Sequence, residues 1–191
     1  MILKRFVEVR ASDPVIAKRH FVRVMLAVHS LNSGGAKLVV DWPKWASSAN
    51  YFGVVMRVFG TDEELQQLKP ELDNEAMKAS RVKGAKKTMI VSPINDVPNE
   101  AKITWIFKRH RQPGRSKSAS SAARLVRRAI ARGEEPKEYT QHEVETHTLM
   151  LVSLSTNKMF PLDICRERPT HQDVIDNTPN SYGLGVPVPR F

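Results

Sequence analysis

Six histidines lie scattered at positions 20, 29, 110, 142, 147 and 171, and histidine is the side chain best suited to moving protons near neutral pH. Spacing decides what they can do together. A zinc or two-metal site needs His, Cys, Asp or Glu at ligand intervals; no such cluster occurs, and His142 and His147 do not share a helical face. The single cysteine, Cys165, excludes an internal disulfide framework and a Cys-rich zinc site. Gly34-Gly35 is a helix stop, not a phosphate-cradling loop, and no nucleophile-elbow sequence surrounds a serine. The chemistry left open is metal-free RNA cleavage. A base takes the proton from a ribose 2′-OH, that oxygen attacks the adjoining phosphate, and an acid protonates the departing 5′ oxygen. Residue types alone do not choose among the six histidines.

Charge makes RNA a natural substrate. Between Ala101 and Gly133 the chain carries ten Lys or Arg and no Asp or Glu, while the whole protein has 30 basic and 20 acidic residues and a net charge of +10. One segment therefore holds the entire excess. Clustered charge steers binding to a polyanion, where dispersed charge serves solubility. No apolar run reaches the roughly 18 residues of a membrane span, and the start, Met1-Ile2-Leu3-Lys4-Arg5, lacks a signal-peptide pattern. A cytoplasmic protein with no membrane partner is expected, with no metal and no cofactor.

The elements that must position any such chemistry follow from the patterning. Leu3–Val9 reads as a strand. Asp13-Pro14 starts a helix, which carries His29 and stops at Gly34-Gly35. Lys37–Trp42 and Val54–Phe59 read as strands. Thr61-Asp62-Glu63-Glu64 is a capping box opening a short helix through Leu68, and Lys87–Val91 is a fourth strand. The connection from Lys69 to Lys86 has no clear period and could hold an extra strand pair. This β-α-β-β-α-β order predicts an α+β protein with a ferredoxin-like, RRM-shaped domain over residues 1–95. The RRM aromatic signature is missing from its central strands, which argues against reading of unpaired bases on the sheet surface.

Residues 96–191 read as an RNA-binding region of α/β character. Thr104-Trp105-Ile106-Phe107 is β-prone and runs into Lys108-Arg109-His110-Arg111. The Gln112–Ser121 loop, with Arg115 and Lys117, is rich in Pro, Gly and Ser. A helix capped by Ser120 or Ser121 and ended by Gly133 follows. It gathers Ala122, Leu125, Val126, Ala129 and Ile130 on one arc and Arg124, Arg127, Arg128 and Arg132 on the other. A guanidinium can grip phosphate or guanine with two prongs; a solvated helix would instead mix its signs. Thr148–Ser155 and Phe160–Cys165 form a hairpin around Thr156-Asn157-Lys158. The Pro-rich end after Ser181 reads as a disordered tail.

Several dispersed pieces together resemble one family, the CRISPR repeat-processing endoribonucleases of subtype I-F. They are Leu26-Ala27-Val28-His29, Val40-Asp41-Trp42-Pro43, Phe107-Lys108-Arg109, Arg124-Leu125-Val126-Arg127-Arg128, Ser153-Leu154-Ser155-Thr156 with Phe160, and Ser181-Tyr182-Gly183-Leu184. The resemblance implies binding of a CRISPR repeat stem-loop and metal-independent cleavage at the 3′ base of its stem. It also implies that the enzyme stays on the crRNA 3′ hairpin, as one subunit among others of a surveillance complex. By the same resemblance His29 is the catalytic base or proton shuttle. Ser153, with Ser155 as the alternative, holds the 2′-OH, and Tyr182 supports the histidine. Phe160 stacks on the last base pair, Arg109 reads a guanine, and Arg128 and Arg132 enter the RNA groove. Arg111 stands where the family usually has glutamine. The rival readings are a non-catalytic RNA-hairpin-binding subunit, for which His29, Ser153 and Tyr182 are core residues, and a basic DNA- or ribosome-associated protein.

Overall fold

The computed structural model describes residues 3–46, 51–80, 88–110, 119–135, 145–153 and 156–191. Of the residues expected to act on RNA, Arg111, Arg115, Lys117 and Ser155 lie outside that set. The described residues form two compact units, residues 1–109 with 145–191 and residues 110–144.

The first strand, β1 (Arg5–Ala11), buries Phe6, Val7 and Val9 and leaves Arg10 exposed. The Asp13 side chain then starts α1 (Pro14–Ser33), accepting from the backbone N–H groups of Val15 at 3.0 Å and Ile16 at 2.9 Å. Proline at the first helical position has no N–H to satisfy. Ala17, His20, Phe21, Val24, Met25 and Val28 recur at three and four residues and form the buried stripe. Gly35, at φ +107°, ends the helix in the left-handed region.

Next come β2 (Val39–Asp41), β3 (Val55–Gly60), α2 (Asp62–Ser80), β4 (Met89–Val91) and β5 (Asn95–Asp96). The Thr61–Glu64 box closes as its sequence implies: Thr61 N–H donates to the Glu64 carboxylate at 2.8 Å and Glu64 N–H to the Thr61 hydroxyl at 3.3 Å. The helix it opens does not stop near Leu68. It runs to Ser80 with Pro70 inside it, so the described part of the Lys69–Lys86 connection is helix and not a strand pair. An interior proline costs a helix about 3 kcal/mol. Burial of Leu65, Leu68 and Leu72, with Ala76 and Ala79 packed on the same core, outweighs that cost. The strands form an antiparallel sheet of order β2-β3-β1-β4, with β5 also on β1.

The second sheet is antiparallel too, with order β7-β8-β6-β9. Its strands are β6 (Lys102–Arg109), β7 (Thr146–Val152), β8 (Met159–Glu167) and β9 (Pro187–Arg190), with α4 (His171–Asp176) between the last two. The expected hairpin is β7–β8. Its turn spans residues 153–158, with Ser153 N–H donating to Lys158 O at 2.9 Å. The expected disordered tail is a strand instead. Leu184, Val186 and Val188 are buried, and prolines are tolerated at 187 and 189 because β9 lies at the sheet edge, where fewer ladder donors are needed. Helix α3 (Ala119–Ala131) belongs to the second unit. It begins at Ala119, so Ser120 and Ser121 fall inside its first turn and do not precede it. The chain is therefore α+β, with two antiparallel sheets and four helices among the described residues.

Aromatic rings join the two sheets. Trp42, just after β2, lies 5.2 Å from both Phe52 and Phe107 of β6, and Trp45 lies flat on His147 of β7 at 3.8 Å and 10°. His147 Nε2 donates to Ala46 O at 2.8 Å. At the far side of β6, Lys108 pairs with Asp173 of α4 at 2.8 Å. That hydrogen bond, with the Thr170 cap, holds the Asp173 carboxyl down at about 2. A depressed carboxylate stabilises the fold above its unfolded value near 4 and loses that contribution as pH falls through its folded value. Asp173→Asn should therefore be less stable than wild type at pH 6. Denaturant melts should show the gap closing between about pH 4 and pH 2.

Candidate active site

Four of the residues expected from the sequence meet around one ring. Tyr182 lies stacked on His29, with centroids 4.3 Å apart and planes at 11°. Phe160 of β8 approaches the same tyrosine at 6.4 Å and 60°. The Arg109 guanidinium, at the end of β6, is 5.8 Å from the Tyr182 centroid. These residues come from a helix of the first sheet layer, two strands of the second and the C-terminal segment. His29 is half-buried, and its Nδ1 is buried with no hydrogen-bond partner among the described residues. Stacking on Tyr182 therefore holds the orientation of the imidazole.

Ser153 stands at the base of the β7–β8 turn. Its hydroxyl accepts from Thr156 N–H at 3.3 Å and its carbonyl from Asn157 N–H at 2.8 Å, with Asn157 in the left-handed region at φ 51°. Helix α1 packs beside β7, so the strand leading to Ser153 neighbours the helix that carries His29.

Two asparagines and a glycine position Tyr182; of these only Gly183, within Ser181-Tyr182-Gly183-Leu184, stood out in the sequence. The Asn180 side-chain carbonyl accepts from Tyr182 N–H at 2.9 Å and Leu184 N–H at 3.2 Å. Asn32, three residues beyond His29 on α1, donates from Nδ2 to Leu38 O at 2.9 Å and to Asn180 O at 3.3 Å, and accepts from Leu38 N–H at 2.8 Å. One side chain thus ties the histidine's helix, the entry to β2 and the tyrosine's turn together. Gly183 sits at φ +74°, and its carbonyl accepts from Val40 N–H at 3.0 Å. A Cβ there would meet Leu38 O at 2.9 Å and Val40 Cγ1 at 3.1 Å. The Asn-x-x-Gly turn signature at 180–183 was the available signal.

Arg124, Arg127, Arg128 and Arg132 are exposed, and Val126 and Ala129 are half-buried. Arg132 makes a surface pair with Glu134 at 3.2 Å, a contact of little energetic weight. Ile130 departs from the expected apolar arc, with 61 % of its surface exposed. Gly133, at φ +69°, ends the helix as anticipated: its N–H donates to Ile130 O at 3.0 Å and that of Glu134 to Ala129 O at 2.9 Å.

Among the described residues no three His, Cys, Asp or Glu side chains gather in a way that could hold a metal ion, and no helix is long and apolar enough to cross a membrane. Residues 10–191 match the family model described as CRISPR-associated protein (Cas_Csy4). The chain belongs to this family. Cas_Csy4 membership makes it a CRISPR-associated endoribonuclease of type I-F that binds and processes repeat RNA. No curated protein matches the sequence.

The strain at Gly183 gives a structural test. Gly183→Ala should lower the melting temperature by several degrees, since one forced left-handed residue costs about 1–3 kcal/mol. Differential scanning calorimetry measures it; an unchanged transition would mean that the turn below Tyr182 is not constrained.

Proposed function

We propose that this Cas_Csy4 protein cleaves CRISPR repeat RNA at the 3′ base of a stem-loop without a metal ion, using the 2′-OH next to the cut as nucleophile. His29 moves the proton at the reacting hydroxyl, Ser153 holds that hydroxyl, and Tyr182 orients the imidazole. Phe160 stacks on the terminal base pair and Arg109 reads a base beside the cut. The observation that carries this reading is the flat His29–Tyr182 stack with Arg109 and Phe160 at its rim. It brings a proton-transfer group, a stacking ring and a cation onto one small surface. The reaction needs proton transfers at two oxygens, and one imidazole at that rim can serve in turn. Arg124, Arg127, Arg128 and Arg132 grip the stem's phosphates, each neutralised phosphate releasing counterions.

The β-α-β-β-α-β succession and the β2-β3-β1-β4 order support a ferredoxin-like arrangement for the first sheet and its helices. Retention of the cut hairpin would make the protein the stem-bound end of a type I-F surveillance complex with other subunits.

His29→Ala should cut about 10²- to 10⁴-fold more slowly, the range for loss of a proton-transfer group, while hairpin affinity stays near wild type. Single-turnover cleavage and a binding titration read the two separately. A 2′-deoxy nucleotide at the cut position should block cleavage without weakening binding, and chelation should leave the rate unchanged. A His29→Ala chain that cleaves at the wild-type rate would refute the assignment.

A further inference from the structure

The sheet face that carries Arg109 and Phe160 at one end is buried at Phe107, Leu162 and Ile164 in its middle and carries a second group of cations at its other end. Trp105, Phe107 and Arg109 alternate onto one face of β6, and the antiparallel register puts Arg166 of β8 opposite Phe107. Trp105 is half-buried, with the Arg166 and Arg168 guanidiniums 4.4 Å and 4.0 Å from its ring centroid. A bulge between Ile103 and Trp105 shifts the register and returns Lys102 to the Trp105 side, directly opposite Arg190 of β9.

That arrangement works against the fold. Like charges paired across an antiparallel ladder are destabilising, and Lys102 and Arg190 are both exposed. Among the described residues, none of Lys102, Arg166, Arg168 and Arg190 takes part in an ion pair. Arg166 and Arg168 donate only to backbone carbonyls, of Trp45 at 3.3 Å and Thr104 at 3.4 Å. Two carboxylates stand near. Asp41, which shares a cleft of about 50 Å³ with Trp105, Arg166 and Arg190, is buried, and burial raises it to about 7 against the pull of Arg57. Glu145 acts on Arg166 from the start of β7. The exposed end of the group is where Lys102 and Arg190 stand opposite each other.

We propose that this Lys102–Trp105–Arg166–Arg168–Arg190 face binds the single-stranded RNA that enters the stem on its 5′ side. The proposal rests on the stem-loop reading above. Guanidiniums set against an indole suit unpaired bases and the phosphates between them, whereas an A-form duplex keeps its bases stacked inside. Lys102 and Arg109 are the two ends of β6, about 23 Å apart at 3.3 Å per residue. Phe107 between them is buried, so the RNA flank passes from the cut site to these cations over the outside of the sheet and not along the Trp105–Phe107 face. After cleavage at the 3′ base of the stem only the 5′ flank stays covalently joined to the hairpin. The contact therefore persists in the product and helps the enzyme keep it.

Binding of the full chain to three RNAs tests this: the bare hairpin, the hairpin with a 5′ single-stranded flank, and the hairpin with a 3′ flank made uncleavable by a 2′-deoxy nucleotide. The wild type should bind the 5′-flanked RNA more tightly than the bare hairpin. Lys102→Gln with Arg190→Gln should remove most of that gain and flatten the slope of log K against log salt by about 1.4, the value for two single-strand phosphates. Its melting temperature should stay level or rise, because a repulsive pair has gone. Trp105→Ala should cost roughly five- to a hundredfold on the flanked RNA alone. A 5′ flank that adds nothing in the wild type, a gain from the 3′ flank only, or equal losses on flanked and bare hairpins would each overturn the proposal. Failure of the wild type to bind the bare hairpin would overturn the stem-loop reading instead.

Discussion

The two sheets are held in register by aromatic packing, and the candidate site exists only because of it. Trp42, Trp45 and Phe52 arise from the segment after β2, while Phe107 and His147 belong to the second sheet. Rings at these separations add about 0.5–1.5 kcal/mol per pair beyond the area they bury. The more important effect is geometric. Large planar groups interlock in few ways, so the helix packed on the first sheet cannot slide against the strands of the second. His29 comes from that helix and Phe160 and Arg109 from those strands.

Tyr182 closes the remaining gap through a different kind of constraint. Its turn is fixed by hydrogen bonds: Asn180 satisfies two backbone donors on either side of Gly183, and Asn32 spans from the histidine's helix to the same turn. Hydrogen bonds are directional where apolar contacts are not. Packing thus sets the coarse distance between the layers, and the asparagines set the angle at which the tyrosine meets the imidazole. Neither would suffice alone.

Much of this was legible in the sequence, and the exceptions have physical causes. The Asp13-Pro14 start, the Thr61–Glu64 box and the Gly133 stop are local signals, complete within a few residues, and each appears as anticipated. The extent of α2 past Pro70 was not legible, because core burial of Leu72, Ala76 and Ala79 decides it and burial is not a local property. The ordered C-terminal strand was hidden for the same reason: prolines at 187 and 189 suggest disorder until an edge position beside β6 is known. His29, Tyr182, Phe160 and Arg109 were nameable through the family resemblance, yet nothing local joins positions 29 and 182. Asn32 and Asn180 act only through partners distant in the chain, so composition gave no reason to single them out.

The pairing of His29 with Tyr182 also has a consequence in time. A ribosome releases the helix bearing the histidine long before residue 182, and at about 5–20 residues per second the interval is roughly eight to thirty seconds. During that interval the first sheet can form by itself, but β2 lacks the Gly183 carbonyl that accepts from Val40 and β6 lacks β9. The stacked imidazole–phenol pair is therefore a late product of synthesis. A nascent chain that already displays its basic segment would hold RNA before it has assembled the means to cut it.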